Sequence, residues 1–88
     1  MSVTDNFIGL IQRTSDSFIR DNVYMLDKSL LAKGLKNVAP EHQDKILRNM
    51  TNDAAAEVKR LIANMGDIGI ELIEAAQQEI ISLASQVF

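Results

Sequence analysis

The sequence has no cysteine and no tryptophan, a single proline, a single histidine and only 5% aromatic residues. Without cysteine there are no disulfides and no thiol chemistry, as expected of a cytoplasmic protein. His42 is flanked by Glu41 and Asp44, but no second His or Cys exists to build a transition-metal site. It reads as part of a solvated helix face. Asp5, Asp16, Asp21 and Asp27 do not follow the spacing of a calcium loop and read as caps and surface charge. Ser15, Ser17, Thr51 and Ser82 have no histidine at a motif spacing, so none reads as a nucleophile. Gly66 and Gly69 lack the lysine and the preceding strand of a phosphate loop and read as a helix stop and a hinge. No enzyme, no metal and no cofactor is implied.

A basic stripe is missing too. The 9 basic residues are scattered among 12 acids, for a net charge of -3. A nucleic-acid binder of this size concentrates positive charge on one face. The N-terminus has no basic region followed by an apolar stretch, so no signal peptide is expected. No apolar run approaches the roughly 18 to 20 residues that span a bilayer, so no membrane insertion is expected.

What is present is an ordinary hydrophobic content of 47% in 88 residues, enough for one domain with a modest core. Ile, Leu, Val, Ala and Met must supply that core, and such side chains suit helix-on-helix packing. The apolar spacing predicts an all-α, compact single-domain bundle of five to six short helices.

Val3, Phe7, Leu10 and Ile11 share one face of a first helix, from Thr4 to about Arg13, with Thr4 or Ser2 as its cap. Thr14 to Ser17 interrupt the pattern. A second helix carries Phe18, Ile19, Val23 and Leu26. Asp27 caps a third, with Leu30, Leu31 and Leu35. Gly34 weakens that helix by about 1 kcal/mol relative to Ala, which suggests the close approach of another backbone. Asn37 can end it in the left-handed conformation.

Pro40 suits the first position of a fourth helix, Glu41 its dipole, and Ile46, Leu47 and Met50 its buried face. Thr51 caps a fifth helix in which Ala54, Val58, Leu61 and Met65 recur by four and three. Ala55 and Ile62 widen that stripe, and Gly66 stops it. Asp67 can start the last helix, although Gly69 interrupts that start. Ile73, Ala76, Ile80, Leu83 and Val87 form its stripe, with Ile81 and Phe88 off it. The expected core includes Leu31, Leu35, Ile46, Leu47, Met50, Val58, Ile62, Ile73 and Ile80. Met25, Met50 and Met65 read as core filler.

Leu26-Asp27, Leu31-Ala32 and Leu35-Lys36 look like a "VD…LA.ALKGA" segment. Lys45 to Thr51 look like a "K…NMS" joint, Ala54-Ala55 like the "RAA" after it, and Glu74 to Ile80 like "VEEAQQEI". In this order and at this spacing the segments resemble the C-terminal domain family of the flagellar motor switch protein FliG. The resemblance covers roughly residues 15 to 85. It implies the family's six-helix domain over 15–88, while residues 1–14, outside the resemblance, read as an amphipathic helix of this chain's own. It also implies a rotor component in the cytoplasm at the inner-membrane flagellar base, meeting the cytoplasmic loop of the stator protein MotA through a ridge of charges.

Candidate partner-binding residues follow from that resemblance: Lys36, Asp53, Glu57, Arg60 and Leu61. Lys36 keeps the family's basic residue. Asp53 stands where the family has Arg, and Arg60 and Leu61 stand where it has two acids. Gly66-Asp67-Ile68-Gly69 replaces Gly-Pro-Val-Arg. A stator loop complementary to the family's ridge meets the wrong sign at Asp53 and Arg60, which is costly in an interface. The alternative to a rotor role is therefore a FliG-like adaptor or regulator that has lost torque function and binds a different protein. The bland reading of Asp53, Glu57 and Arg60 is a solvated helix face with a weak Glu57–Arg60 pair. For the wide apolar face of the last helix, the readings are closure over the core or contact with a second copy in a homo-oligomer.

Overall fold

The computed structural model describes residues 2–87, without the side chain of Val87. Its elements are α1 (Val3–Arg13), α2 (Asp16–Asn22), a 3₁₀ turn (Val23–Met25), α3 (Lys28–Leu35), α4 (Pro40–Leu47), α5 (Asn52–Asn64) and α6 (Ile70–Val87). Among the described residues there is no strand. The expectations for Phe88 and for the Val87 side chain lie outside the described residues.

Local chemistry sets most of these boundaries. Ser2, Ser15, Asp27 and Thr51 each accept a backbone N–H of the first turn, at Asp5, Phe18, Leu30 and Ala54. Each removes one of the four orphan donors at a helix start. Pro40 occupies the first turn of α4, where its missing N–H costs nothing. Gly66 takes φ +66° directly after α5, the left-handed stop that a Cβ disfavours.

Four boundaries or approaches differ from the sequence reading. The second helix ends at Asn22, whose side-chain amide donates back to the Phe18 carbonyl, and the chain tightens into the 3₁₀ turn. Such a side-chain bond competes with the helix ladder. Asn37 is not left-handed, since no described non-glycine residue has positive φ. The last helix starts at Ile70 rather than Asp67, because the Gly69 carbonyl takes the first bonds, from Leu72 and Ile73. Side chains, not backbone, crowd Gly34: a Cβ there would lie 2.8 Å from Ile80 Cδ1 and 3.7 Å from Phe7 Cζ.

α3 is central, packed on α6 and α5, while α1 packs on α6 and α4. Leu31, Leu35, Ile46, Leu47, Val58, Ile73 and Ile80 are buried as expected. Met50 and Ile62 are only partly buried and pack against the cluster from its edge. Phe7 and Ile11 of α1 are in the same cluster as Leu35 and Ile80, so α1 packs into that core. Ile81 also packs against it, whereas Leu83 stays exposed.

These burial classes separate two otherwise similar substitutions. Ile46→Ala is expected to cost about 2 to 4 kcal/mol, and Ile62→Ala, at the edge, about half that. Denaturant unfolding of both variants checks the order; an equal or larger loss at Ile62 means the α5 face is misplaced.

Candidate protein-interaction surface

α5 carries the charged stripe. Asp53, Glu57 and Arg60 recur by four and three, so a 3.6-residue repeat brings them onto one face. Glu57 and Arg60 form a two-point pair, with Arg60 Nε donating to Glu57 Oε2 at 3.0 Å and Nη2 donating to Oε1. The Arg60 hydrogen bonds hold the Glu57 carboxyl below its usual range, and the same bonds raise the Arg60 guanidinium. Both groups are solvated, so the pair sets geometry more than stability. Asp53 is exposed in the first turn of α5, where its charge complements the helix dipole. Among the described residues it has no ion pair.

The other two candidate positions are engaged within the domain. Lys36 Nζ donates to the Ile62 carbonyl at 3.2 Å, across from α3 to the last turn of α5. A cation there satisfies an orphan carbonyl and complements the negative helix end. Leu61 is half-buried and packs against the core. The structure thus brings Asp53, Glu57 and Arg60 together on an open face, with Lys36 at the far end of the same helix.

Two buried polar residues escape the sequence reading. Gln77 is 0% exposed. Its Nε2 donates to the Gly34 carbonyl at 2.9 Å and to Asn37 Oδ1 at 2.8 Å, while its Oε1 accepts from Thr4 Oγ1 at 2.8 Å. Asn49 is 6% exposed and joins Arg20, Asp16 and the Lys45 carbonyl. No signal in the local pattern marks either, because all of these partners except the Lys45 carbonyl are far away in the chain. Among the described residues no group of three or more His, Cys, Asp or Glu could hold a metal ion. No described helix is long and apolar enough to cross a membrane.

With six helices and an open charged face on α5 in view, the comparisons decide the family. The model of the FliG C-terminal domain matches residues 6–87. The chain belongs to the FliG C-terminal domain family. It is 32% identical over 83 residues to the flagellar motor switch protein FliG of Thermotoga maritima, covering 94% of this chain and 24% of that protein. It is 30% identical over 87 residues to FliG of Vibrio cholerae, covering 99% of this chain and 24% of that protein. The chain spans about a quarter of the length of these curated relatives. No solved structure matches it significantly. The FliG C-terminal match begins within α1, consistent with the burial of Phe7 in the shared core.

Proposed function

We propose that this domain is a non-enzymatic protein-interaction element of the flagellar rotor, placed in the cytoplasm at the inner-membrane flagellar base. Membership of the FliG C-terminal domain family over 6–87 carries this reading. The chemistry asked of it is contact and force transfer, and the exposed face of α5 suits that: rigid helix, charged side chains and no covalent step. Lys36, Asp53, Glu57, Arg60 and Leu61 are the residues proposed to meet or support a stator loop such as that of MotA, or a divergent loop in its place.

A second reading has an observation of its own. Lys36, the one charge that keeps the family's sign, is turned onto the Ile62 carbonyl, and Asp53 and Arg60 carry the opposite sign. These favour an adaptor that keeps the scaffold and binds a different protein. Under either reading, a partner matched to this face presents a basic group near Asp53 and an acidic one near Arg60.

Charge reversal tests both readings. Asp53→Arg and Arg60→Asp are each expected to slow association with a recovered partner, in a salt-dependent way. Reversing the facing partner charge is expected to restore part of the loss. Stability is expected to change by about 1 kcal/mol or less in each variant, because both side chains are exposed and only a helix-dipole contact or a solvated ion pair is lost. Binding of the stator loop supports the rotor reading, and binding of another protein supports the adaptor. Zero coupling at both residues in a double-mutant cycle removes this face from the interface.

A further inference from the structure

A second surface adjoins the N-terminal end of the charged stripe without using its side chains. A cleft of about 330 Å³ opens between the 3₁₀ turn and the start of α5. Val23, Met50 and Ala54 give it an apolar lining, and Arg20, Tyr24 and Arg48 stand beside them. The lining carries two arginines and no acid, on a chain whose net charge is -3. Asp16 pairs with Arg48 from outside the lining, and the charge of Arg20 is left without an ion pair among the described residues. Asp21 and Asp53, the acids next to it in sequence, do not line it.

The arginines are held in place from behind. Arg48 Nη2 donates to both oxygens of Asp16, at 3.1 and 3.0 Å. Asn49 Nδ2 donates to Asp16 Oδ1 at 3.3 Å, and Asn49 Oδ1 accepts from Arg20 Nη2 at 3.3 Å. One buried amide therefore links the two guanidinium groups through a single carboxylate. The Arg48 hydrogen bond holds the Asp16 carboxyl below its usual range, so that link stays ionised at neutral pH. Only one terminal nitrogen of each arginine is used in these bonds. Each guanidinium has five N–H donors in a fixed fork, so both keep donors for a carboxylate. Arg20 has no ion pair among the described residues. Tyr24 is 78% exposed, and Met50 is the methionine of the lining. Tyr, Arg and Met are the side chains enriched at interface cores, and groups already held in place lose little entropy on binding.

We propose that this cleft docks an acidic protein segment that sets an apolar side chain on Val23, Met50 and Ala54 and a neighbouring carboxylate against Arg20 and Arg48. The site is independent of the rotor reading, because it does not use the α5 stripe. Its failure leaves that reading untouched.

The test is an NMR titration of the full ¹⁵N-labelled chain with three short peptides. One is acidic with a central leucine, one has serine in place of that leucine, and one has lysines in place of the acids. The leucine-containing acidic peptide is expected to shift amides of residues 20–24 and 48–54 saturably. Raising salt from about 0.05 to 0.5 M is expected to weaken it several-fold. The serine peptide should bind several-fold more weakly, and the lysine peptide should not bind. Arg20→Gln keeps an amide to face Asn49 while removing the charge; it should weaken the acidic peptide about tenfold, as expected for a charge-assisted contact. Its amide spectrum away from the cleft should stay native. No saturable shift by the acidic peptide, shifts elsewhere, or full affinity in folded Arg20→Gln overturns the proposal. Equal binding of the serine peptide reduces the cleft to a bare anion site and overturns it as well.

Discussion

Phe7→Ala is expected to destabilise the domain by about 3 to 5 kcal/mol, the usual loss for an aromatic deleted from a packed core. Phe7 is 1% exposed and belongs to the cluster that holds Leu35 and Ile80. Its ring also faces α3 at Gly34, with Cζ 3.7 Å from where a Cβ would lie, an ordinary contact distance. α3 and α6 cannot easily move into the space, because Gly34 and Gln77 already fix their approach. A domain of this size has roughly 5 to 13 kcal/mol in total, so the loss is a large fraction. Denaturant unfolding should show a much lower midpoint with an unchanged slope. A loss under about 1 kcal/mol would mean that α1 is not part of the cooperative unit.

Gln77→Leu is expected to cost about 2 to 4 kcal/mol although it replaces a polar residue with an apolar one in the core. The leucine is close in size, so cavity formation contributes little. The loss comes from hydrogen bonds. The Gly34 carbonyl is one of the last four of α3 and receives Gln77 Nε2 inside the protein. Leucine cannot donate to it, and a buried acceptor without a partner costs about 1 to 3 kcal/mol. Thr4 and Asn37 lose a partner as well, but they lie nearer the surface and can turn to water. Gln77→Glu separates this account from simple packing. Its carboxylate has no N–H for the Gly34 carbonyl, so at neutral pH it should be at least as damaging as leucine. A neutral or stabilising Gln77→Leu, measured by thermal and denaturant unfolding, would show that the three-way junction contributes nothing.

The helices were legible in the sequence wherever a local device sets them. Ser2, Asp27 and Thr51 are caps within three residues of the N–H they accept, Ser15 caps α2 inside the polar stretch that marked the break before it, and Gly66 stops α5 by its own backbone. Apolar periodicity likewise marks Leu31, Leu35, Val58 and Ile80, since facing the core is a property of one helix. Features that depend on a distant partner were not legible. Gln77 and Asn49 look like surface residues until α3, α2 and α4 supply their partners. The Lys36 ammonium meets a carbonyl 26 residues away, so its spacing alone shows a charge but not where that charge is used. Arg20 and Arg48 belong to different helices and converge only when Asp16 and Asn49 join them. The start of α6 was misplaced for a related reason: Asp67 has the side chain of a cap, but the Gly69 carbonyl is where the first helical bonds close.

The proposed rotor role is tested most directly in the organism that carries the gene. Deleting the coding sequence and restoring it as a fluorescent fusion allows swimming, switching and position to be read in the same cells. The account predicts impaired swimming or switching on deletion, rescue by the fusion, and foci at the flagellar base. Asp53→Arg with Arg60→Asp should fold and localise but rescue poorly. Normal motility without the gene, together with a fusion spread evenly through the cytoplasm, would contradict it.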